Sequence, residues 1–297
     1  MKRISPIVLG LSLAVAGSLL SAAQEMSSQA SIPKVLQITR EFIKPGKSGM
    51  VHDRSESNFV QAMARAKWPT HYIALGSLSG KSRALYLTQY GSFEAWEKDN
   101  AAVAKNATLS SELDRAEMTD GELLDSFDQA VGYYNEELSY RARTDLSQAR
   151  FMEISVYNVR PGHGKEWRDL VKMVIDGYQK AGTSAHWATF EMVYGRDGGT
   201  FIVLSSSKSL SEIDTNFAED KQFMAAMGED GMKKLEDLVG SAVEHSDHEL
   251  FSINARQSYP PDEWVKADPA FWKPKPAMAA AAKPAATPAA EPKKANP

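Results

Sequence analysis

The 297-residue sequence contains no cysteine, which excludes disulfides, thiolate catalysis and cysteine-based zinc sites. Burial alone must hold the fold together. The sequence also has no excess of positive charge. Its formal net charge is −4, and setting aside Lys2, Arg3 and the Lys-rich C-terminal residues leaves about −10 on the central part. Such a surface repels phosphate backbones and no basic stripe offsets it, so nucleic acid is not an expected partner. Also missing are a Gly-rich phosphate loop, a nucleophile elbow, a paired-His metalloprotease helix and a dinucleotide fingerprint. After the first 20 residues no apolar run approaches membrane length.

The two ends differ from the rest. Lys2 and Arg3 precede an apolar stretch from Ile7 to Leu20, followed by the small residues Ser21, Ala22 and Ala23. This predicts a signal peptide over residues 1–23, cleaved before Gln24, and a soluble periplasmic or extracellular protein with no integral membrane segment. Residues 274–297 are almost entirely Ala, Pro and Lys. That composition predicts a disordered tail, whose basic charge suits contact with acidic polymers of the cell envelope. Trp264, Phe271 and Trp272, within residues 258–273, predict an extension that packs onto the folded body before the tail begins.

Between the ends, one pattern occurs twice, over residues 34–142 and 150–257. Val35 to Ile43 leads into Lys44-Pro45-Gly46-Lys47, and Phe151 to Val159 leads into Arg160-Pro161-Gly162-His163. Each is a strand followed by a Pro-Gly turn. In the second copy Trp167, Leu170, Val171, Val174, Ile175 and Tyr178 then form one apolar stripe at helical spacing, with Phe59, Val60, Met63 and Ala64 as the first copy's less regular equivalent. Hairpins follow at His71 to Leu78 with Ala84 to Tyr90, and at His186 to Tyr194 with Thr200 to Ser206. A second helix comes next in each copy, and Ser209 with Glu212 reads as a capping box. Asp120-Gly121 and Asp230-Gly231 predict a break and a further short helix. The closing strands are expected near Tyr133 to Arg141 and His248 to Arg256.

The order β-α-β-β-α-(α)-β, twice, predicts an α+β protein of two tandem ferredoxin-like units. Each antiparallel sheet has helices on one face, and its bare face is expected to be shielded by its twin in an intrachain pseudo-dimeric α/β barrel. On these landmarks the chain resembles the dimeric α/β-barrel superfamily, including the NIPSNAP, antibiotic-biosynthesis monooxygenase and haem-degrading oxygenase groups. The resemblance implies ligand clefts between each sheet and its helices. The haem-degrading groups use an Asn, a Trp and a His. Asn158 has no Trp or His on the second helix of its unit, and Trp96 has no Asn on the opening strand of its own, so that mechanism does not carry over.

Candidate site residues follow from position and chemistry. His71 and His186 recur at matched hairpin starts, where each can act as a general base, a haem ligand or a polar anchor, or simply bond a neighbouring carbonyl. Tyr72, Tyr86, Trp96, Tyr157, Trp187 and Phe190, with Trp68 beside them, are candidates to line a pocket for a small apolar or aromatic ligand, whereas Trp167 reads as core. His245 and His248 are the candidate metal ligands, sharing a face if the helix extends that far. His52 and His163 read as surface residues near helix starts. No cofactor is required by the sequence. Three functions fit: an exported carrier of a small apolar ligand, an oxygenase-like enzyme of the same barrel class (cofactor-independent or haem-dependent), or a non-catalytic envelope scaffold.

Overall fold

Both Pro-Gly sequences form the turn their residues favour. Lys47 N donates to Lys44 O at 3.0 Å and His163 N to Arg160 O at 3.0 Å, and Gly46 and Gly162 take φ of 78° and 86°. A positive φ after proline is a type II geometry that glycine adopts without strain. Each turn ends the first strand of a unit and starts its first helix. The computed structural model describes residues 32–273, so the predicted signal peptide and tail lie outside the described residues.

The first unit contains β1 (Val35–Ile43), α1 (Met50–Ala66), β2 (Tyr72–Ser77), β3 (Arg83–Tyr90), α2 (Phe93–Lys105), α3 (Ala107–Gly121) and β4 (Leu124–Tyr134). The second contains β5 (Phe151–Val159), α4 (Gly164–Ala181), β6 (Ala188–Tyr194), β7 (Thr200–Ser207), α5 (Leu210–Ala242) and β8 (Val243–Ile253). Two short helices follow, α6 (Asp262–Ala267) and α7 (Pro269–Trp272). Within each unit the strands pair antiparallel in ferredoxin-like order. β2 then pairs with β8 and β4 with β6, closing one barrel in the order β1-β3-β2-β8-β5-β7-β6-β4. This is the predicted pseudo-dimeric barrel, and its two seams leave none of these eight strands with an open edge. Among the described residues no helix is long and apolar enough to cross a membrane.

Alternation along the strands sends one set of side chains inward and the other towards the helices. Leu36, Ile38, Leu75, Leu85 and Leu87 of the first unit meet Met152, Ile154, Phe190, Ile202 and Phe251 of the second inside the barrel. At one end the interior becomes ionic. Arg40 pairs with Asp128, Arg83 pairs with Glu249, and both guanidiniums lie over the Phe42 ring. At the other end the C-terminal extension covers the barrel: Trp272 joins the barrel core and donates its indole N–H to Ser147 O at 2.8 Å, while Asp268 pairs with Arg150.

Three local expectations are corrected. β4 and β8 start at Leu124 and Val243, earlier than read from the sequence: no further helix follows Asp120-Gly121, and in the second unit the strand begins directly where α5 ends at Ala242. Asp230-Gly231 lies inside α5, where the break is instead at Gly228, with φ of 68° and ψ of 174°. Ser209 makes no capping bond to the helix; the Glu212 carboxylate accepts from Lys208 N at 3.0 Å. Side chains do cap α2 at Ser92, α3 at Asn106 and the short α7 at Asp268.

Trp272 is only 4% exposed, so Trp272→Ala leaves a cavity over the barrel end and removes the indole hydrogen bond to the Ser147 carbonyl. Urea unfolding should show a loss of about 3–5 kcal/mol, whereas a loss below about 1 kcal/mol, the scale of a surface change, would show that the extension does not seal the barrel.

Candidate functional site

The covered end of the barrel retains a cavity of about 850 Å³, lined by both units. Inward-facing Ile73, Leu87, Met152, Phe190 and Leu204 form its floor, and Trp68, Trp187 and Trp264 form part of its wall. His71 and His186 both line it, lying one and two residues before the starts of β2 and β6. The matched positions seen in the sequence thus converge on one space.

The two histidines differ in what they bond. The ring nitrogens of His186 face Ser206 O at 2.9 Å and Ser184 O at 3.2 Å, so its imidazole is held by backbone. Burial, helped by the charge of Arg143, keeps its pKa below the ordinary histidine value. The His71 ring is tilted 34° against that of Tyr259, centroids 4.8 Å apart, and its Nδ1 is buried without a hydrogen-bond partner. An orphaned buried nitrogen is a costly feature, and it distinguishes His71 from His186, whose ring nitrogens both face backbone carbonyls.

The aromatic candidates are divided among several environments. Tyr72, Trp187 and Phe190 line the barrel-mouth cavity, as does Trp68, whose indole N–H donates to Asp99 Oδ1 at 2.9 Å. Trp96 instead stacks on Tyr90, with centroids 5.9 Å apart, and lines neither described cavity. Tyr157 lies in a second cleft of about 440 Å³ between the second sheet and its helices α4 and α5. Trp167, packed against Tyr157 and Phe201, forms one wall of that cleft. Glu153 also lines it, with a buried unpartnered oxygen and a pKa raised by burial.

The equivalent sheet–helix space of the first unit is filled by ionisable side chains. Glu41 projects from β1, His52 and Glu56 from one face of α1 at i, i+4, and Asp120 from the end of α3. His52 Nε2 lies 3.1 Å from Glu41 Oε2 and 3.6 Å from Asp120 Oδ1. One ligating atom from each of the four can be chosen so that all lie within 4.8 Å of one another. Burial first, and then the charges of Glu41 and Asp120, push the Glu56 carboxyl up to about 10, so it holds its proton at neutral pH. The same surroundings raise the neighbouring Tyr72 and Tyr86 hydroxyls, burial again being the main cause. Tyr86 sits at the edge of this cluster, its OH 3.5 Å from Gln257 Oε1.

Two sequence expectations about histidine are corrected. His52, read as a surface residue, is 1% exposed and central to this cluster. His245 and His248 lie on a strand, not a helix, so their three-residue spacing puts them on opposite faces. His248 Nδ1 is 2.9 Å from Ser155 Oγ and His245 Nε2 is 3.1 Å from Asp247 Oδ2, two separate exposed pairs. The i, i+4 spacing of His52 and Glu56 puts them on one helix face but does not mark that face as buried, and Glu41 and Asp120 carried no signal.

No protein-family model matches the sequence, and no curated protein matches it. Solved structures do resemble the fold. A monooxygenase-type protein from Fusobacterium nucleatum aligns over 76% of this chain and 94% of its own, at 10% identity and a TM-score of 0.50. An anthrone oxidase-like protein aligns over 77% and 94%, at 11% identity and a TM-score of 0.48. A mutant chlorite dismutase from Candidatus Nitrospira defluvii aligns over 80% and 96%, at 10% identity and a TM-score of 0.45. At 10% identity the likeness to the first of these speaks for the fold alone.

The depressed pKa of His186 makes a signed prediction. The unfolded chain takes up a proton at His186 near pH 6.5 while the folded chain resists it. Its contribution to stability is therefore present above about pH 6.5 and is lost as pH falls through the lower folded value. Between about pH 7.5 and 5.5, urea midpoints of the parent should fall more steeply than those of His186→Gln; parallel curves would refute the assignment.

Proposed function

We propose that the protein binds a small, largely apolar molecule of aromatic size, bearing one hydrogen-bonding group, in the barrel-mouth cavity. The observation carrying this reading is that both units build one apolar space of about 850 Å³ in which His71 holds an unpartnered buried nitrogen. The volume falls within the range of small-molecule sites, and apolar walls with a few polar groups are their usual composition. The signal-peptide reading of residues 1–23 supports a ligand met outside the cytoplasm. The fold-level likeness to monooxygenase-type proteins supports a second reading in the same cavity, oxygenase-type chemistry. There the free His71 nitrogen takes a proton from a bound phenol-like group, as a general base must. Haem, implied by the resemblance, would be held by His71 and, when bound, would supply oxygen or peroxide activation.

A thermal-shift screen of phenolic and polycyclic aromatic compounds tests the reading, because a ligand at 100 times its Kd adds about 2.7 kcal/mol to stability. His71→Ala should weaken a hit about tenfold, the effect of one hydrogen bond. Ala188→Phe, on the cavity wall, should abolish the shift while the free protein still unfolds cooperatively. A Soret band on haemin addition that His71→Ala removes would select haem as occupant. Hits whose affinity ignores both substitutions would contradict the proposed site.

A further inference from the structure

Three buried carboxyl groups without a cationic partner are an unusual way to fill a sheet–helix interface. Glu56 and Asp120 are 3% and 2% exposed, and Glu41 is nearly as enclosed, its side chain 13% exposed. Among the described residues no Lys or Arg forms an ion pair with any of them; their one ion-pairing neighbour is His52. The contrast with the ionic end of the barrel is direct, since Asp128 and Glu249 each have an arginine there. Buried charges are normally paired or coordinate a metal.

A second observation comes from the oxygens themselves. Glu56 Oε1 and Asp120 Oδ1 are fully buried and have no hydrogen-bond partner. Asp120 Oδ1 is the oxygen 3.6 Å from His52 Nε2, so it is directed into the cluster. Glu56 and Asp120 thus bring unpartnered oxygens to the same cluster as His52 and Glu41.

We propose that Glu41, His52, Glu56 and Asp120 bind a first-row divalent cation of the Mn²⁺-to-Zn²⁺ type. Metal–ligand bonds of about 2.0–2.2 Å put neighbouring donor atoms about 3–3.5 Å apart in tetrahedral or octahedral geometry. The 3.1 and 3.6 Å separations around His52 Nε2 fall on that scale, and the 4.8 Å outer limit needs only small side-chain movement. One imidazole with three carboxylates and no thiolate suits a borderline or hard transition cation; the imidazole argues against Ca²⁺ and Mg²⁺.

The outer layer also has the form of a metal site. His52 Nδ1 faces Gln257 Nε2 at 3.1 Å, and Gln257 is fixed in turn by Asp53 Oδ1 at 2.9 Å. Groups behind the ring commonly orient a metal-ligating histidine. Without the cation, the Gln257 amide nitrogen donates to Nδ1 and the Nε2 proton goes to Glu41. With the cation on Nε2, the imidazole proton sits on Nδ1 and the Gln257 amide turns its oxygen to it, Asp53 keeping its bond from Asn254.

The test uses the full-length protein stripped with a chelator, then titrated separately with Mn²⁺, Zn²⁺ and Co²⁺. Each is followed by thermal unfolding and calorimetry, and Co²⁺ also by its visible absorption. The site predicts a rise in Tm, a stoichiometry of one per chain, and a Co²⁺ spectrum of nitrogen–oxygen ligation. Glu56→Gln and Asp120→Asn should each weaken binding at least tenfold yet give metal-free proteins no less stable than the parent, because Asp120→Asn removes a carboxylate from the crowded cluster and Glu56→Gln replaces a carboxyl that is already neutral. Asp169→Asn, on the α4 surface, should bind as the parent does. No Tm shift and no Co²⁺ band in the parent would overturn the proposal and leave a proton-sharing carboxyl cluster. A shift that survives in the Glu56→Gln, Asp120→Asn double variant would overturn it too, by placing the cation elsewhere. Should the variants fail to fold, the Co²⁺ spectrum and stoichiometry of the parent decide alone.

Discussion

A four-stranded ferredoxin-like sheet ends in two strands with unpaired backbone groups, and the rest of this structure depends on how the chain removes them. β2 of the first unit bonds β8 of the second, and β4 bonds β6, so each sheet supplies the edge the other lacks. Closure also encloses the inward faces of both sheets, so Leu36 and Leu75 can share one core with Phe190 and Phe251. A pair of separate sheets would leave these apolar faces in water. Gly132, at the β4–β6 seam, marks how closely the two units meet: a Cβ there would lie 2.9 Å from Met192 Sδ and 3.0 Å from Phe190 Cβ.

Once the two units close a single barrel, their remaining surfaces are free to differ. The two barrel ends already do. One is occupied by Arg40, Arg83 and their carboxylate partners, and the other by an apolar cavity under the Trp272 extension. The two sheet–helix spaces diverge in the same way. The second keeps an open cleft with Tyr157 and Trp167 in its walls, while the first is closed around Glu41, His52, Glu56 and Asp120. Duplicated architecture therefore supplies four chemically distinct places, and only the barrel mouth draws residues from both units at equivalent positions.

The architecture was legible because it rests on local signals. Pro45-Gly46 and Pro161-Gly162 dictate turns wherever they occur, and the helical stripe from Trp167 to Tyr178 needs no knowledge of its partner. The convergence of His71 and His186 was readable as matched position, though not as shared space, which depends on the barrel seams. The buried cluster was hidden for a different reason. Polar residues near a helix start, such as His52 and Glu56, look solvated in a sequence, and only the packing of α1 and α3 over β1 shows otherwise. The His245 and His248 pattern misled because it lay beside a helix end: β8 begins at Val243, which changes the period from about 3.6 to 2. Export and the tail, read from residues 1–23 and 274–297, rest on sequence alone.

The most direct test of barrel closure is native-state hydrogen exchange across the seams. If the two units form one closed barrel, amides in Tyr72–Ser77 and Val131–Tyr134 should exchange with the same opening free energy as the central strands β1 and β5, all limited by global unfolding. Seam amides that open at markedly lower free energy, while β1 and β5 stay protected, would show two independently stable sheets and contradict the account.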